Sequence, residues 1–145
     1  MIREIKSEDQ LLGIIISNQF KADGIHFVTE GQFSQQLAYM SHPSGKQIAP
    51  HVHNFVPREV QYTQEVLFIK SGKLRVDFYR DDRSYLESYV VGEGDVLLLA
   101  SGGHGFEVLE ALEMYEVKQG PYTGDHDKTR FEGVEPGSVT IIGDT

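Results

Sequence analysis

Short apolar segments of alternating polarity, each ended by glycine, proline, aspartate or asparagine, recur along this 145-residue chain. A period of two places successive side chains on opposite faces of a strand, and such closely spaced breaks are typical of a β-sandwich or β-barrel. The chain shows no internal repeat and no linker of biased composition. The pattern therefore predicts a single all-β domain with little helix, and the length suits one hydrophobic core.

The clearest strand signal covers residues 65–80. Two alternating runs flank Ser71-Gly72, a pair suited to a two-residue hairpin turn, in which opposed residues share one side of the sheet. The predicted core face carries Glu65, Leu67, Ile69, Leu74, Val76 and Phe78. The predicted solvent face carries Lys73, Arg75 and Asp77. The pattern thus predicts a carboxylate among apolar side chains.

Other strands are predicted by the same alternation. They cover residues 25–28, 35–41, 85–91, 96–100 and 114–118. The run 96–100 is apolar throughout, which fits a strand buried on both faces. Around His104 the alternation places the imidazole on one face with Phe106 and Val108. The first 16 residues fit either a short helix or an edge strand, and the tail after Gly120 is expected to lie over the barrel surface.

Four residues could form a metal centre. His51 and His53 lie two apart, so an extended strand would direct both imidazoles to one face. A carboxylate buried among apolar side chains needs a partner, and a cation shared by Glu65, His104 and the two other histidines would provide it. Because the chain has no cysteine, the ligands must be imidazole, carboxylate and water. This set favours a divalent Fe, Mn, Ni, Co or Zn ion.

These residues resemble the first motif of the cupin superfamily. Gly45, five residues, His51-Val52-His53, then Glu65, six residues and Gly72 follow its order. The gap of eleven residues between His53 and Glu65 is longer than the family's usual gap, and Glu59 is the alternative carboxylate nearer to the usual place. A second motif is followed loosely by Gly94, Ala100, Gly102 and His104, with Ala100 in place of proline and Glu107 in place of asparagine.

The resemblance implies a double-stranded β-helix, the jelly-roll barrel of cupins. The barrel would span residues 25–118, between an extension at 1–24 and a tail at 119–145. Residues 65–72, 101–107 and 116–122 are also similar to small bacterial cupins associated with sugar-nucleotide and surface-polysaccharide pathways. The expected ligand is therefore a small molecule, a sugar or a sugar nucleotide, and the expected assembly is a homodimer.

Several functions remain open at this point. In the first, the metal activates a carbonyl or hydroxyl group for isomerisation or epimerisation, with Glu65 or His53 carrying the proton. In the second, no metal is present, and His51 and His53 are the acid–base pair, assisted by Tyr62, Tyr115 or Tyr122. The third is a cupin dioxygenase with the same ligands, and the fourth is a binding module without turnover. His26, His42 and the stretch 125–127 are expected to be structural or exposed.

Charge and hydropathy argue against nucleic acid and membranes as partners. With 22 acidic against 13 basic residues the net charge is -9, which repels nucleic acid and anionic lipid. No apolar run approaches the length of a membrane span, and the acidic N-terminus does not resemble a signal peptide. We therefore expect a cytoplasmic location.

Overall fold

The computed structural model describes residues 1–143, which form eight strands and two short 3-10 helices. The strands are β1 (Ile2–Ser7), β2 (Gln10–Ile16), β3 (Gly24–Phe27), β4 (Ala38–Ser41), β5 (Glu65–Tyr79), β6 (Tyr85–Gly92), β7 (Val96–Leu99) and β8 (Gly103–Lys118). The 3-10 helices lie at Gly124–Asp127 and Pro136–Ser138. The predicted all-β class with little helix is confirmed. No helix in residues 1–143 has the length and apolar character to cross a membrane.

Strand β5 organises the main sheet, which is antiparallel throughout and follows the order β1-β2-β7-β5-β6, with β8 also paired to β5. Along one edge β5 pairs first with β7 and then with β6, while β8 follows nearly its whole length on the other edge. The sheet curls strongly and forms a half-barrel. Because β1 and β2 belong to it, the strands extend outside the range 25–118 expected for the barrel. A complete cupin jelly roll and a single-domain organisation stay predictions.

The predicted hairpin at Ser71-Gly72 is wrong, because β5 continues through it as one strand. The pairing with β8 shifts register at three places around Ser71 and Lys73, so this point is a bulged bend. Gly72 has a φ of +88°, and a Cβ there would lie 2.1 Å from the backbone oxygen of Ala111. Glycine is therefore required where β5 bends against β8.

The core occupies both faces of the sheet. The larger cluster includes all the apolar residues predicted for the core face of 65–80, namely Leu67, Ile69, Leu74, Val76 and Phe78. A second cluster on the other face joins Ile14, Ile16, Leu37, Val66 and Leu98. Leu97 and Leu99 belong to the first cluster and Leu98 to the second, so the prediction that this strand is buried on both faces is confirmed.

The predicted solvent face of β5 is only partly exposed. Lys73 is exposed, but Asp77 is buried and Arg75 is largely covered, so the prediction for Asp77 is wrong. Asp77 lies opposite Ser88 of β6, and this serine in turn receives the C-terminal tail, whose Thr140 oxygen accepts a hydrogen bond of 2.9 Å from the Ser88 amide. The tail thus forms a short parallel bridge with Ser88 at the edge of β6, while Arg75 and Ser88 enclose the Asp77 carboxylate.

Candidate active site

Glu65 begins β5 at the centre of three strands. It pairs with Leu99 of β7 on one side and with Lys118 of β8 on the other. Its side chain is only 12% exposed, which confirms that this carboxylate is buried as the alternation predicted. A buried carboxylate needs a compensating partner.

The partner of this carboxylate is His104. The Nε2 atom of His104 lies 3.5 Å from Oε2 of Glu65, and its side chain remains 31% exposed. In the pairing of β5 with β8, His104 lies opposite Phe78. Glu65 is at the start of β5, and in a fully extended strand it would be about 43 Å from Phe78. The two residues meet because the sheet curls back on itself, and because β7 ends beside Glu65 immediately before the turn that leads to His104.

The electrostatics of Glu65 follow from this contact. The hydrogen bond from His104 lowers the pKa of the carboxyl below its ordinary value, burial opposes the shift, and the charges of His104, Lys118 and Lys128 add to the lowering. The carboxylate is therefore ionised at neutral pH. It can orient the imidazole, while the exposed part of the ring stays open to a ligand.

His51 and His53 lie elsewhere. They occupy a segment without regular structure between β4 and β5, with their rings 5.3 Å apart between centroids, and both residues are exposed. Over the part of the chain that the structure describes, no three His, Asp or Glu side chains are close enough to hold a metal ion. The structure thus brings Glu65 and His104 together and His51 and His53 together, but it does not bring all four to one point. The four-ligand metal centre stays a prediction.

A cluster of glutamines, which sequence reasoning missed, secures the chain beside Glu65. Gln64 Oε1 accepts hydrogen bonds from the Gln35 amide at 3.0 Å and from Ser34 Oγ at 3.2 Å. Gln35 Nε2 donates to Gln119 Oε1 at 3.1 Å, and the backbone amide of Gln119 donates to the backbone oxygen of Gln64. These bonds tie the loop before β4 to the start of β5 and the end of β8. No local pattern distinguishes these glutamines from ordinary surface residues.

A groove of about 920 Å³ opens beside the same ends of β5 and β8. Arg58 and Lys118 contribute positive charge to its lining, and Tyr62 and Tyr122 contribute exposed aromatic rings. Two of the three tyrosines proposed to assist catalysis therefore line this groove, whereas Tyr115 is not among its lining residues. Because the acids Glu59 and Asp127 also line the groove and balance these charges, the lining suits a polar ligand that carries a flat or cyclic group.

The remaining sequence candidates are also located. His26 is exposed, and its Nε2 lies 2.8 Å from the Asp23 oxygen, so it has a structural contact as expected. His42 is exposed. Asp127 lines the groove and accepts a hydrogen bond of 3.0 Å from Thr63. Glu59 lines the groove as well, so the alternative carboxylate lies on the surface and not in the core.

Comparison with known proteins gives no relative from which a function could be transferred: no protein-family model, no curated protein and no solved structure matches the chain.

Proposed function

We propose that this protein is a small cytoplasmic cupin-type enzyme that moves a proton on a sugar or sugar nucleotide, as an isomerase or epimerase does. The observation that carries the proposal is the contact between Glu65 and His104. A buried carboxylate that holds a partly exposed imidazole is a suitable arrangement for general acid–base catalysis.

The roles within the pair follow from burial. His104 is the more exposed partner, so it would take or give the proton at the substrate carbon or hydroxyl. Glu65 would orient the ring, because its lowered pKa keeps it ionised and able to accept a hydrogen bond. In this reading Glu65 is a positioning residue, and His53 is not needed for the proton transfer.

The groove supports the choice of ligand. Arg58 and Lys118 can donate hydrogen bonds to phosphate or hydroxyl oxygens, although Glu59 and Asp127 balance their charge, and the rings of Tyr62 and Tyr122 can stack on a base or a sugar. The groove adjoins the catalytic pair, since Lys118 is the cross-strand partner of Glu65. A nucleotide held in the groove would place its sugar towards His104.

The test is solvent-hydrogen exchange followed by proton NMR in D₂O, with a panel of free hexoses and nucleoside-diphosphate hexoses. We expect at least one of them to exchange a carbon-bound hydrogen with the wild type, and exchange to fall about 100-fold or more in His104→Gln. His26→Gln is the control, because His26 is an exposed histidine away from the groove. If no member of the panel exchanges, or if His104→Gln exchanges at the wild-type rate, the proposal is wrong. Binding without exchange would favour a binding module.

A second candidate is a metal-dependent reaction at the same site, including oxygen chemistry. The observation that favours it is the presence of two ligand pairs, Glu65 with His104 and His51 with His53. The two pairs do not meet in the arrangement described, so we derive no step through a metal. Wild type offered Fe, Mn, Ni, Co and Zn in turn should then retain one of them, and His51→Ala should lose it. Failure of the wild type to retain any metal would exclude this candidate.

A further inference from the structure

One segment of the chain is exposed along its whole length. This arm (residues 42–62) contains the two paired histidines and has no regular structure. Val52 is 84% exposed and Phe55 is 92% exposed. In residues 47–62, all of them described, no backbone group is bonded to another backbone group. Exposed apolar residues and unpaired amides on an extended segment are characteristic of a strand that lacks its neighbour.

Strand β8 has the complementary deficiency. In the described structure only one of its edges, the one towards β5, has a neighbouring strand. Phe106 and Val108 lie opposite Val76 and Leu74, which are buried core residues, so they share the core side of the sheet. Phe106 is nevertheless 41% exposed and Val108 is 57% exposed. The half-barrel is therefore open along β8.

Charge favours the arm over a second β8 as the neighbour of this edge. Strand β8 carries four glutamates and one lysine, so two β8 strands laid side by side would repel each other. The part of the arm that carries the histidines, residues 42–54, has Lys46 and no acid, in a chain whose net charge is -9. An arm beside β8 thus pairs a weakly basic segment with an acidic strand.

One antiparallel register matches the side chains. With His53 opposite His104, Ala49 faces Val108 and Ile48 faces Leu109, so apolar residues meet apolar residues. Pro50 is compatible with this position, because the arm would itself become the new edge strand and an edge strand tolerates a proline whose nitrogen faces water.

We propose that two copies of the chain exchange arms, each arm adding a strand to the free edge of β8 in the other copy. Each chain has an unpaired arm and an unpaired β8 edge. A two-fold axis would pair the arm of each copy with the β8 edge of the other and so close the assembly. The exchange would place His53 beside the partner's His104 and His51 beside the partner's Phe106. The placement of these imidazoles beside the proposed catalytic pair has meaning only if the proposed function is right. The exchange of arms does not depend on that function.

The first test compares three valine-to-aspartate variants by light scattering. We expect the wild type to have twice the mass of one chain, and Val52→Asp and Val108→Asp to be monomeric at the same concentration, because each places a charge in the new contact. Val90→Asp, at an exposed valine of β6, is the control and should remain dimeric. Circular dichroism confirms that each variant is folded. A monomeric wild type would overturn the proposal.

The second test uses the absence of cysteine from the chain. Ile48→Cys and Leu109→Cys are prepared as separate proteins, mixed, and oxidised. We expect a disulfide between the two different chains, since a disulfide requires Cα atoms within about 7 Å. Tyr115→Cys replaces Leu109→Cys as the control, because it lies about 20 Å further along β8 and should not react.

Two results of the second test would contradict the exchange. One is no cross-link between the Ile48→Cys and Leu109→Cys proteins. The other is a disulfide within single chains of the double variant at monomer mass, which would show that the arm closes on its own β8. Neither readout depends on activity. A cross-linked dimer that shows no solvent-hydrogen exchange would support the exchange of arms and contradict the proposed function. A monomer that shows solvent-hydrogen exchange would support the proposed function and contradict the exchange of arms.

Discussion

Replacing Asp77 by alanine removes an acceptor that three side-chain groups share. Arg75 Nε donates to Oδ1 of Asp77 at 2.8 Å, and a terminal guanidinium nitrogen donates to Oδ2 at 3.0 Å. Ser88 Oγ also donates to Oδ1. The side chains of Asp77 and Arg75 are 8% and 16% exposed, so water cannot replace these bonds freely. The variant would leave a partly buried guanidinium and a buried hydroxyl with fewer partners.

The expected loss of stability follows from what is left behind. Removing one member of a buried ion pair costs about 3–5 kcal/mol, and a single hydrogen bond to a charged group contributes about 1.5–3 kcal/mol. Arg75 keeps its contact with Glu107, and the Ser88 hydroxyl keeps its contact with Tyr85, so the cost is reduced. We expect Asp77→Ala to lower the free energy of unfolding by about 2–4 kcal/mol. Asp77→Asn keeps the shape and one acceptor and should lose about half as much.

Urea unfolding of the three proteins measures this loss. Lys73→Ala is the matched control on the same strand, because its ion pair with Glu110 is more than half exposed and should contribute at most about 1 kcal/mol. If Asp77→Ala loses no more stability than Lys73→Ala, then Asp77 faces solvent, as the local sequence pattern indicated, and its bonds to Arg75 and Ser88 do not stabilise the fold.

Two further predictions concern the bend at Gly72 and the contact between Glu65 and His104. Gly72→Ala should lower the free energy of unfolding in urea by about 3 kcal/mol or more, because the new Cβ meets the Ala111 backbone. Gly45→Ala is the control: its φ is similarly positive but no atom lies within 4 Å, so it should cost about 1 kcal/mol. Equal losses would place the bend elsewhere. The pKa of Glu65 in the folded protein is lowered from an ordinary value of 4.5, first by the hydrogen bond from His104. The contribution of Glu65 to stability should therefore be complete above about pH 5 and should disappear as the pH falls through the lowered pKa. The difference in unfolding free energy between wild type and Glu65→Gln should therefore shrink below pH 4.5, and a difference that grows there would contradict the contact.

The chain's own pattern predicted most of the strands and much of the core, but it left the first 16 residues open between a short helix and an edge strand, where the structure has β1 and β2. Alternation identified the buried face of β5 and placed Glu65 on it, and an unbroken apolar run identified β7 as buried on both faces. It could not distinguish a hairpin from a bend at Ser71-Gly72. The core positions change from odd to even numbers there, and both a two-residue turn and a bulge produce that change.

Tertiary structure decided the rest, since each remaining feature depends on segments far apart in sequence. Asp77 is buried because Ser88 of the neighbouring strand β6 and Arg75 enclose its carboxylate, and the tail near Thr140 bonds to the same serine. Glu65 and His104 meet only because the sheet curls and β7 delivers the chain beside β5. The spacing of His51 and His53 determined that they would be neighbours, but it could not determine what they face. Local alternation records which side of a strand is apolar, whereas the partner across that side is fixed by how the whole chain packs.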